Sequence, residues 1–301
     1  MGRTAGAGHP RCRAGLPPVS LIAGIDAGGT KLAAGIVDLD AGRLLECREA
    51  PAERHRGGHA VLESCLELLR EVSHGRAMAA IGVGVPELVS LAGKIQTAEN
   101  WDWRDGSFRS ALTKIAPVHI ESDVRAAALA ESRFGAGRGL SSFLYLTIGT
   151  GVSHTFVVGG QLWRGARGNA IVTGAPPVEL AASGAALAGQ AHRPSAKEVL
   201  ATPGDEPLVD AAAKALGTEL AALVNAFDPE AVVVGGGLGL APGFMRRIVA
   251  RMRPQIYAAA TRDLAVHPSE LGVHAGVIGA AVSAADALKL PAVPPGASLT
   301  R

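Results

Sequence analysis

The sequence predicts an α/β fold made of two related lobes with a cleft between them. Strand-like and helix-like segments alternate along the 301 residues, which is the pattern of α/β proteins. A strand, a turn of small residues containing Thr and a second strand occur at 21–38 and again at 143–158. A chain of this length is long for one compact core. We therefore expect two lobes, at 20–124 and 125–288, with loose segments at 1–19 and 289–301.

In the first half, short apolar runs predict strands, and two segments with apolar residues spaced near 3.6 predict helices. A tight Gly-Gly turn joins the first two strands, which predicts a hairpin. The strands are expected at Leu21–Asp26, Leu32–Asp38, Arg43–Arg48, Ala79–Val85 and Val118–Glu121, and the helices at His59–Val72 and Val124–Phe134.

The second half restarts with a similar hairpin and then alternates between helices and strands. Its strands are expected at Phe143–Ile148, Val152–Val158, Ala231–Val234 and Leu264–His267. Its helices are expected at Glu179–Ala191, Leu208–Phe227, Gly243–Ala259 and Ala275–Leu288.

The composition excludes several classes of protein. Hydrophobic residues make up 48% and charged residues 19%, which supports a sizeable core. The net charge of +2 gives no concentrated basic face, so we expect no nucleic-acid partner. Cys12, Cys47 and Cys65 have no metal-binding spacing, which favours a reducing cytoplasm. No apolar run is long enough for a signal peptide or a membrane span, so we expect a cytoplasmic protein.

The turn Asp26–Lys31 carries the first chemical motif, Asp-Ala-Gly-Gly-Thr-Lys. Gly28 and Gly29 let backbone N–H groups approach a phosphate, and Thr30 adds a hydroxyl donor. Asp26, at the end of a strand, is suited to hold Mg²⁺ through water. An ordinary Gly-Gly hairpin is the alternative, and the motif lacks the spacing of a Walker A loop.

Two further glycine turns follow predicted strands. One consists of Gly149, Thr150 and Gly151, and the other of Gly235, Gly236 and Gly237. A single turn of this kind is weak evidence, because tight packing explains many of them. Three glycine turns at strand ends together predict two phosphate-binding loops and a surface on which a nucleotide binds.

Asp123 lies between a predicted strand and a predicted helix. An Asp at this position is commonly a helix N-cap. It is also suited to act as a general base that accepts a proton from a substrate hydroxyl while phosphate is transferred.

Taken together, these motifs resemble the ROK family of sugar kinases and related repressors over about residues 20–288. The matching segments are Gly24–Lys31, Gly82–Pro86, Glu121–Asp123, Ala126–Leu129, Gly149–Gly151, Trp163–Ala166, Asp228–Pro229, Gly235–Gly237, Leu271–Gly272, Ala275–Gly276 and Gly279–Ala281.

The resemblance implies an actin-like, ribonuclease H-like fold with a central cleft, in which the γ-phosphate of ATP is transferred to a sugar hydroxyl, commonly the 6-OH. It implies that Asp123 is the catalytic base and that the glycine turns and Lys31 bind the nucleotide. It further implies that Glu179 binds the sugar and that the protein forms a homodimer. We expect Asn100, Ser122, Asp123 and Glu179 to line the sugar pocket, with Val172 and Ala175 forming an apolar patch.

Departures from the family pattern concern substrate and zinc. Ser122 replaces the Asn that usually precedes the catalytic Asp, and Val172–Ala175 replaces a Glu-x-Gly-His segment that binds sugar hydroxyls. The family's zinc-binding cysteines are missing before Glu179, so we expect no structural zinc. His154 stands where the family tends to have glycine, and we expect it to pack or lie at the surface. The substrate is expected to be a hexose, an amino-sugar or a cyclitol.

A tolerant glucokinase and a catalytically weak, sugar-binding regulator are the alternatives. The family's repressors carry a DNA-binding domain before the first glycine turn, where this sequence has about twenty residues, too few for a domain. Asp26 and Asp123 are both present, which favours the enzyme.

Overall fold

The computed structural model describes residues 21–39, 42–173 and 175–289, with the backbone alone at 175–177. The predicted loose segments at 1–19 and 289–301 lie outside these ranges, apart from Lys289. Within the described residues, no helix is both long enough and apolar enough to cross a membrane.

The first sheet has five strands in the order β3-β2-β1-β4-β5. The hairpin β1–β2 and the pair β2–β3 are antiparallel, whereas β4 and β5 run parallel to β1. Helix α1, Gly57–Ser73, buries its apolar face against this sheet. The strands are β1 Leu21–Ala27, β2 Lys31–Asp38, β3 Arg43–Pro51, β4 Met78–Val85 and β5 Val118–Ser122.

The second sheet repeats this arrangement, with the order β10-β9-β6-β7-β8. Its first three strands are again antiparallel neighbours, and β9 and β10 again run parallel to the first strand. The predicted duplication therefore extends from one hairpin to all five strands. The strands are β6 Ser142–Ile148, β7 Val152–Val158, β8 Gln161–Trp163, β9 Ala231–Gly235 and β10 Ala265–Pro268.

Eight further helices complete the described fold. They are α2 Ser107–Thr113, α3 Asp123–Phe134, α4 Ala175–Ala182, α5 Gly184–Gln190, α6 Ala196–Ala201, α7 Glu206–Phe227, α8 Phe244–Met252 and α9 Ala275–Ala287. Helices α4, α5, α7 and α8 contribute to the core of the second sheet.

Helix α9 lies directly on the first sheet, although it comes last in the sequence. A Cβ added to Gly82 on β4 would lie 1.7 Å from the carbonyl oxygen of Ala280 on α9. A Cβ on Gly279 would lie 1.7 Å from the carbonyl oxygen of Ala126 on α3. Glycine is therefore required where these backbones touch. The lobe boundary near residue 124 stays a prediction. Helix α9 belongs by sequence to the predicted second lobe, but it packs on the first sheet.

Two helices differ from the prediction. The helix expected at Gly243–Ala259 ends at Met252, because Pro254 cannot continue an α-helix. The helix expected at Glu179–Ala191 is two helices, α4 and α5, separated at Ser183, whose Oγ accepts a hydrogen bond from the N–H of Ala186. The short elements α2, α6 and β8 were not predicted.

Candidate active site

Asp26 and Asp123 lie at the same edge of the first sheet. Asp26 pairs with Gly84 in the register of β1 and β4, and Gly84 pairs with Glu121 on β5. Because these three strands are parallel, their carboxyl ends meet, and Asp123 follows directly as the first residue of α3. A Cβ on Gly84 would lie 3.4 Å from the Cα of Asp123, so glycine leaves room between the two acids.

The surroundings of both carboxyls disfavour their charged forms. Burial raises the pKa of Asp123 to about 7, and the negative charge of Asp26 adds to this, while the Val124 N–H donated to Oδ1 at 2.7 Å opposes it. Burial raises the pKa of Asp26 to about 6, opposed by the positive charge of Lys31. Asp123 is therefore tuned near neutral pH, where a general base works best.

This acidic pair fits a divalent cation. Burial raises the pKa values of both carboxyls more than the charges of Lys31 and Arg125 lower them, and carboxylate oxygen is a ligand that Mg²⁺ prefers. Gly276 keeps the space beside Asp26 open, because a Cβ there would lie 2.4 Å from Asp26 Oδ2. In the described ranges no group of three or more His, Cys, Asp or Glu is arranged to hold a metal ion. The absence of structural zinc stays a prediction.

The first two glycine turns meet across the cleft. Thr30 Oγ1 and Thr150 Oγ1 are 2.5 Å apart. The turn Gly149–Gly151 is closed by a hydrogen bond from the N–H of Gly149 to the carbonyl of Gly151, and its carbonyls accept from Gly184 and Ala185 of helix α5. The structure thus brings one predicted phosphate turn from each sheet to a single point.

The third glycine turn, Gly235–Gly237, packs beneath the second. The N–H groups of Leu238 and Gly239 donate to the carbonyl of Ile148 at the end of β6. A Cβ on Gly235 would lie 2.1 Å from the Tyr145 hydroxyl, whereas one on Gly237 would meet no atom within 4 Å. Gly237 therefore presents open backbone, as a nucleotide shelf requires.

Asn100 lies beside the first turn, and Glu179 beside the second. Asn100 donates its Nδ2 to the carbonyl of Pro86, and its Oδ1 is 3.0 Å from where a Cβ on Gly29 would lie. Glu179 Oε2 accepts the Val152 N–H at 2.8 Å. Lys31 is paired with Glu49 of β3 at 2.6 Å, and Ser122 is buried at the end of β5. Their contacts with sugar or nucleotide stay predictions.

Glu87 organises the Asn100 segment, and sequence reasoning missed it. Its carboxylate accepts hydrogen bonds from the Thr97 hydroxyl and from the N–H groups of Glu99, Asn100 and Trp101, at 2.5–3.2 Å. The available signal was an acid directly after Pro86, at the end of an otherwise apolar strand. Glu87 is thus a positioning residue for Asn100.

A buried ion-pair cluster joins the two sheets behind Asp123. Arg125 Nε donates to Glu121 Oε1 at 2.6 Å, and Arg164 donates to the other oxygen of Glu121. Arg125 also donates to the carbonyls of Val89 and Gly168. This cluster fixes the first turn of α3, where Asp123 lies. The segment Trp163–Ala166 was part of the predicted family resemblance, but the contact of Arg164 with Glu121 was not predicted.

His154 is buried, in agreement with the packing role expected for it. Its Nδ1 is 2.9 Å from Thr173 Oγ1, and burial lowers its pKa to about 4, so the ring is neutral at pH 7. Val172, next to Thr173, is 57% exposed. The side chain of Ala175, expected to share an apolar patch with Val172, lies outside the described part of the chain.

Duplicated sheets, paired glycine turns and two aspartates in a cleft agree with the actin-like fold that was predicted. The chain belongs to the ROK family, whose sequence profile matches residues 22–287. A crystallised ROK family glucokinase from Streptomyces griseus, in complex with glucose and AMPPNP, superposes with a TM-score of 0.78 at 27% identity, covering 89% of this chain and all of that one.

Two curated relatives extend the comparison. The glucokinase of Streptomyces coelicolor is 29% identical over 313 residues, covering 87% of this chain and 97% of the relative. The bifunctional enzyme NanE/NanK of Brucella suis is 38% identical over 196 residues, which is 56% of this chain. The match spans about a third of the length of that bifunctional enzyme, 35%.

Proposed function

We propose that this protein is an ATP-dependent kinase that phosphorylates a hydroxyl of a hexose, an amino-sugar or a related cyclitol. The observation that supports this most is the position of Asp123, with a pKa near 7, beside a cleft at which two phosphate turns meet. Membership of the ROK family and the similarity to two glucokinases support the same reaction class.

In the proposed reaction, Asp123 acts as the general base. The oxygen of the sugar hydroxyl, the 6-OH in a hexose, forms a bond to the γ-phosphorus of ATP. The bond from that phosphorus to the bridging oxygen breaks, and ADP leaves with the oxygen and its electron pair. The hydroxyl proton passes to the Asp123 carboxylate. The buried Glu121, through its ion pairs with Arg125 and Arg164, holds α3 and with it Asp123 in place for this transfer.

The glycine turns position the phosphates. The phosphates can accept hydrogen bonds from backbone N–H groups at Gly28–Thr30, Thr150 and Gly151 and from the hydroxyls of Thr30 and Thr150. The N–H of Gly149 is already donated within its own turn. The turn Gly235–Gly237, whose backbone is open at Gly237, receives the nucleoside. Mg²⁺ bound through water at Asp26 would neutralise phosphate charge. Lys31 reaches a phosphate only by leaving its pair with Glu49.

The sugar pocket is proposed to contain Asn100, Ser122, Asp123 and Glu179. Val172 is exposed, and we expect it to border this pocket with an apolar surface. Because polar side chains are missing near Val172, recognition of sugar hydroxyls there would be relaxed. A sugar is rejected when it leaves buried polar groups of the site without hydrogen-bond partners. Location in the cytoplasm, a homodimer and the absence of nucleic-acid or membrane partners remain predictions from the sequence.

The test is release of ADP from ATP and Mg²⁺ in the presence of glucose, N-acetyl-hexosamines, amino-sugars or cyclitols. We expect at least one compound to stimulate ADP release well above the rate with ATP alone, and Asp123→Asn to abolish that stimulation. Sugar binding without any turnover would instead support the sugar-binding regulator.

A further inference from the structure

The segment that follows β3 is held against the first phosphate turn. Pro51 lies opposite Lys31 in the β2–β3 register, and the N–H of Ala52 donates to the carbonyl of Thr30 at 2.9 Å. A short 3₁₀ turn, Arg54–Arg56, comes next. The backbone therefore delivers Arg54 to the side of the Gly28–Thr30 turn.

The guanidinium of Arg54 lies at the rim of that turn. Its Nη1 is 3.9 Å from where a Cβ on Gly29 would lie, and the same point is 3.0 Å from Asn100 Oδ1. Nη2 donates to the carbonyl of Glu99 at 3.3 Å, and Cζ is 5.8 Å from the centre of the Trp101 ring. These two contacts orient the group while leaving most of its N–H donors free.

In the part of the chain that the structure describes, Arg54 has no acidic partner, unlike Lys31 and Arg164. Lys31 is paired with Glu49, and Arg164 with the buried Glu121. Within the described ranges, the Arg54 guanidinium forms no ion pair with a carboxylate. Its positive charge is therefore available to an anion at the turn.

The chemistry of the cleft calls for such a charge. The carboxyls of Asp26 and Asp123 line its inner wall, and a triphosphate adds further negative charge. Phosphoryl transfer depends largely on neutralising the transferred group. Arginine suits this task because its planar fork donates two hydrogen bonds to one phosphate and does not lose its proton.

We propose that Arg54 binds the terminal phosphate of the nucleotide and keeps hold of that phosphate after transfer to the sugar. This inference rests on the proposed kinase function. It makes Arg54 a catalytic residue of the reaction, supplied by the segment between β3 and α1 and outside every motif that the sequence singled out.

A purely structural role predicts different behaviour. If Arg54 only braced the Glu99–Trp101 segment, its removal would lower the melting temperature and would affect nucleotides with and without a terminal phosphate alike. The comparison of AMP-PNP with ADP, both with Mg²⁺, therefore separates the two roles without depending on the identity of the sugar.

The experiment is isothermal titration of Arg54→Gln with each nucleotide. Loss of a charged hydrogen bond should weaken AMP-PNP binding roughly ten- to a hundred-fold, while ADP affinity stays within about twofold of wild type. Arg54→Lys should restore part of the loss. The matched control is Arg56→Gln, because Arg56 is paired with Glu53 at 2.5 Å and should leave both affinities unchanged.

Two negative outcomes are distinguishable. If wild type binds both nucleotides and phosphorylates a sugar, but Arg54→Gln keeps the wild-type ratio of the two affinities, the role of Arg54 is overturned and the kinase assignment stands. If wild type binds neither nucleotide, both proposals are wrong.

Discussion

The carboxyls of Asp26 and Asp123 influence each other, and this determines how the site should respond to pH. A general base acts as the carboxylate, and Asp123 loses its proton near pH 7. We expect kcat/KM to fall about tenfold per pH unit below that pKa. Asp123→Asn should lower kcat by roughly 10²–10⁴ and retain sugar binding. The check is a pH–rate profile of wild type beside the variant, and near-normal turnover of the variant would refute the assignment.

The same variant should be more stable than wild type at alkaline pH. The pKa of Asp123 is raised on folding, so the folded protein holds this proton more tightly than the unfolded chain. That contribution to stability is full below about pH 4 and is lost as pH rises through about 7. Asn resembles the protonated acid and keeps the acceptor for the Val124 N–H. Melting curves at pH 4 and pH 8 should therefore show a much larger gain of Asp123→Asn at the higher pH.

Glu179 supports the Gly149–Gly151 turn by accepting the Val152 N–H, and it is also proposed to bind the sugar. A substitution can separate these two roles. Gln at this position can still accept the Val152 N–H but has no charge. We expect Glu179→Gln to weaken sugar binding by about 1–2 kcal/mol, roughly five- to thirty-fold in Kd, with little change in ATP affinity. Equal sugar affinity in the variant, measured by titration, would leave Glu179 as a support of the turn alone.

At the scale of elements, close packing of α9 explains glycines that no motif accounts for. A Cβ on Gly82 would lie 1.7 Å from a backbone oxygen that cannot move aside. Gly82→Ala should therefore lower the free energy of unfolding by about 1–3 kcal/mol or more. A Cβ added to Gly189 in α5 would meet no atom within 4 Å. Gly189→Ala should be neutral or stabilising by up to about 1 kcal/mol, so denaturant curves of the two variants should move apart.

Local sequence patterns predicted the long elements and failed where the structure depends on distant contacts. Helices α1 and α7 and the two hairpins have clear periodicity or turn residues, so their positions agree with the prediction to within a few residues. The break at Ser183 depends on a side-chain cap and was hidden in an apolar run. Glu87 and Arg54 were not predicted, because their partners are separated from them by ten to about fifty residues.

At the scale of the whole molecule, one further prediction concerns metal content. The cysteines described, Cys47 and Cys65, lie in β3 and α1, on the first sheet, whereas the family's zinc motif would precede Glu179. We expect elemental analysis of the purified protein to find no stoichiometric zinc, and a chelator to leave the melting temperature unchanged. One zinc per chain would contradict this.

The contact between Thr30 and Thr150 places a limit on how nucleotide enters the cleft. Their hydroxyl oxygens are 2.5 Å apart. A phosphate oxygen that accepts a hydrogen bond from each would hold the two hydroxyls roughly 5 Å apart. The turns must therefore separate to admit the triphosphate and close again around it, which also excludes water from the reaction.

A reversible cross-link tests this motion with its own control. In the double variant Thr30→Cys and Thr150→Cys, oxidation should form a disulfide across the turns, abolish AMP-PNP binding and leave the fold intact, and reduction should restore binding. Oxidised wild type controls for the native cysteines. Unchanged nucleotide affinity in the cross-linked form would mean that triphosphate binds without separation of the turns, and the closing motion would then have no part in the reaction.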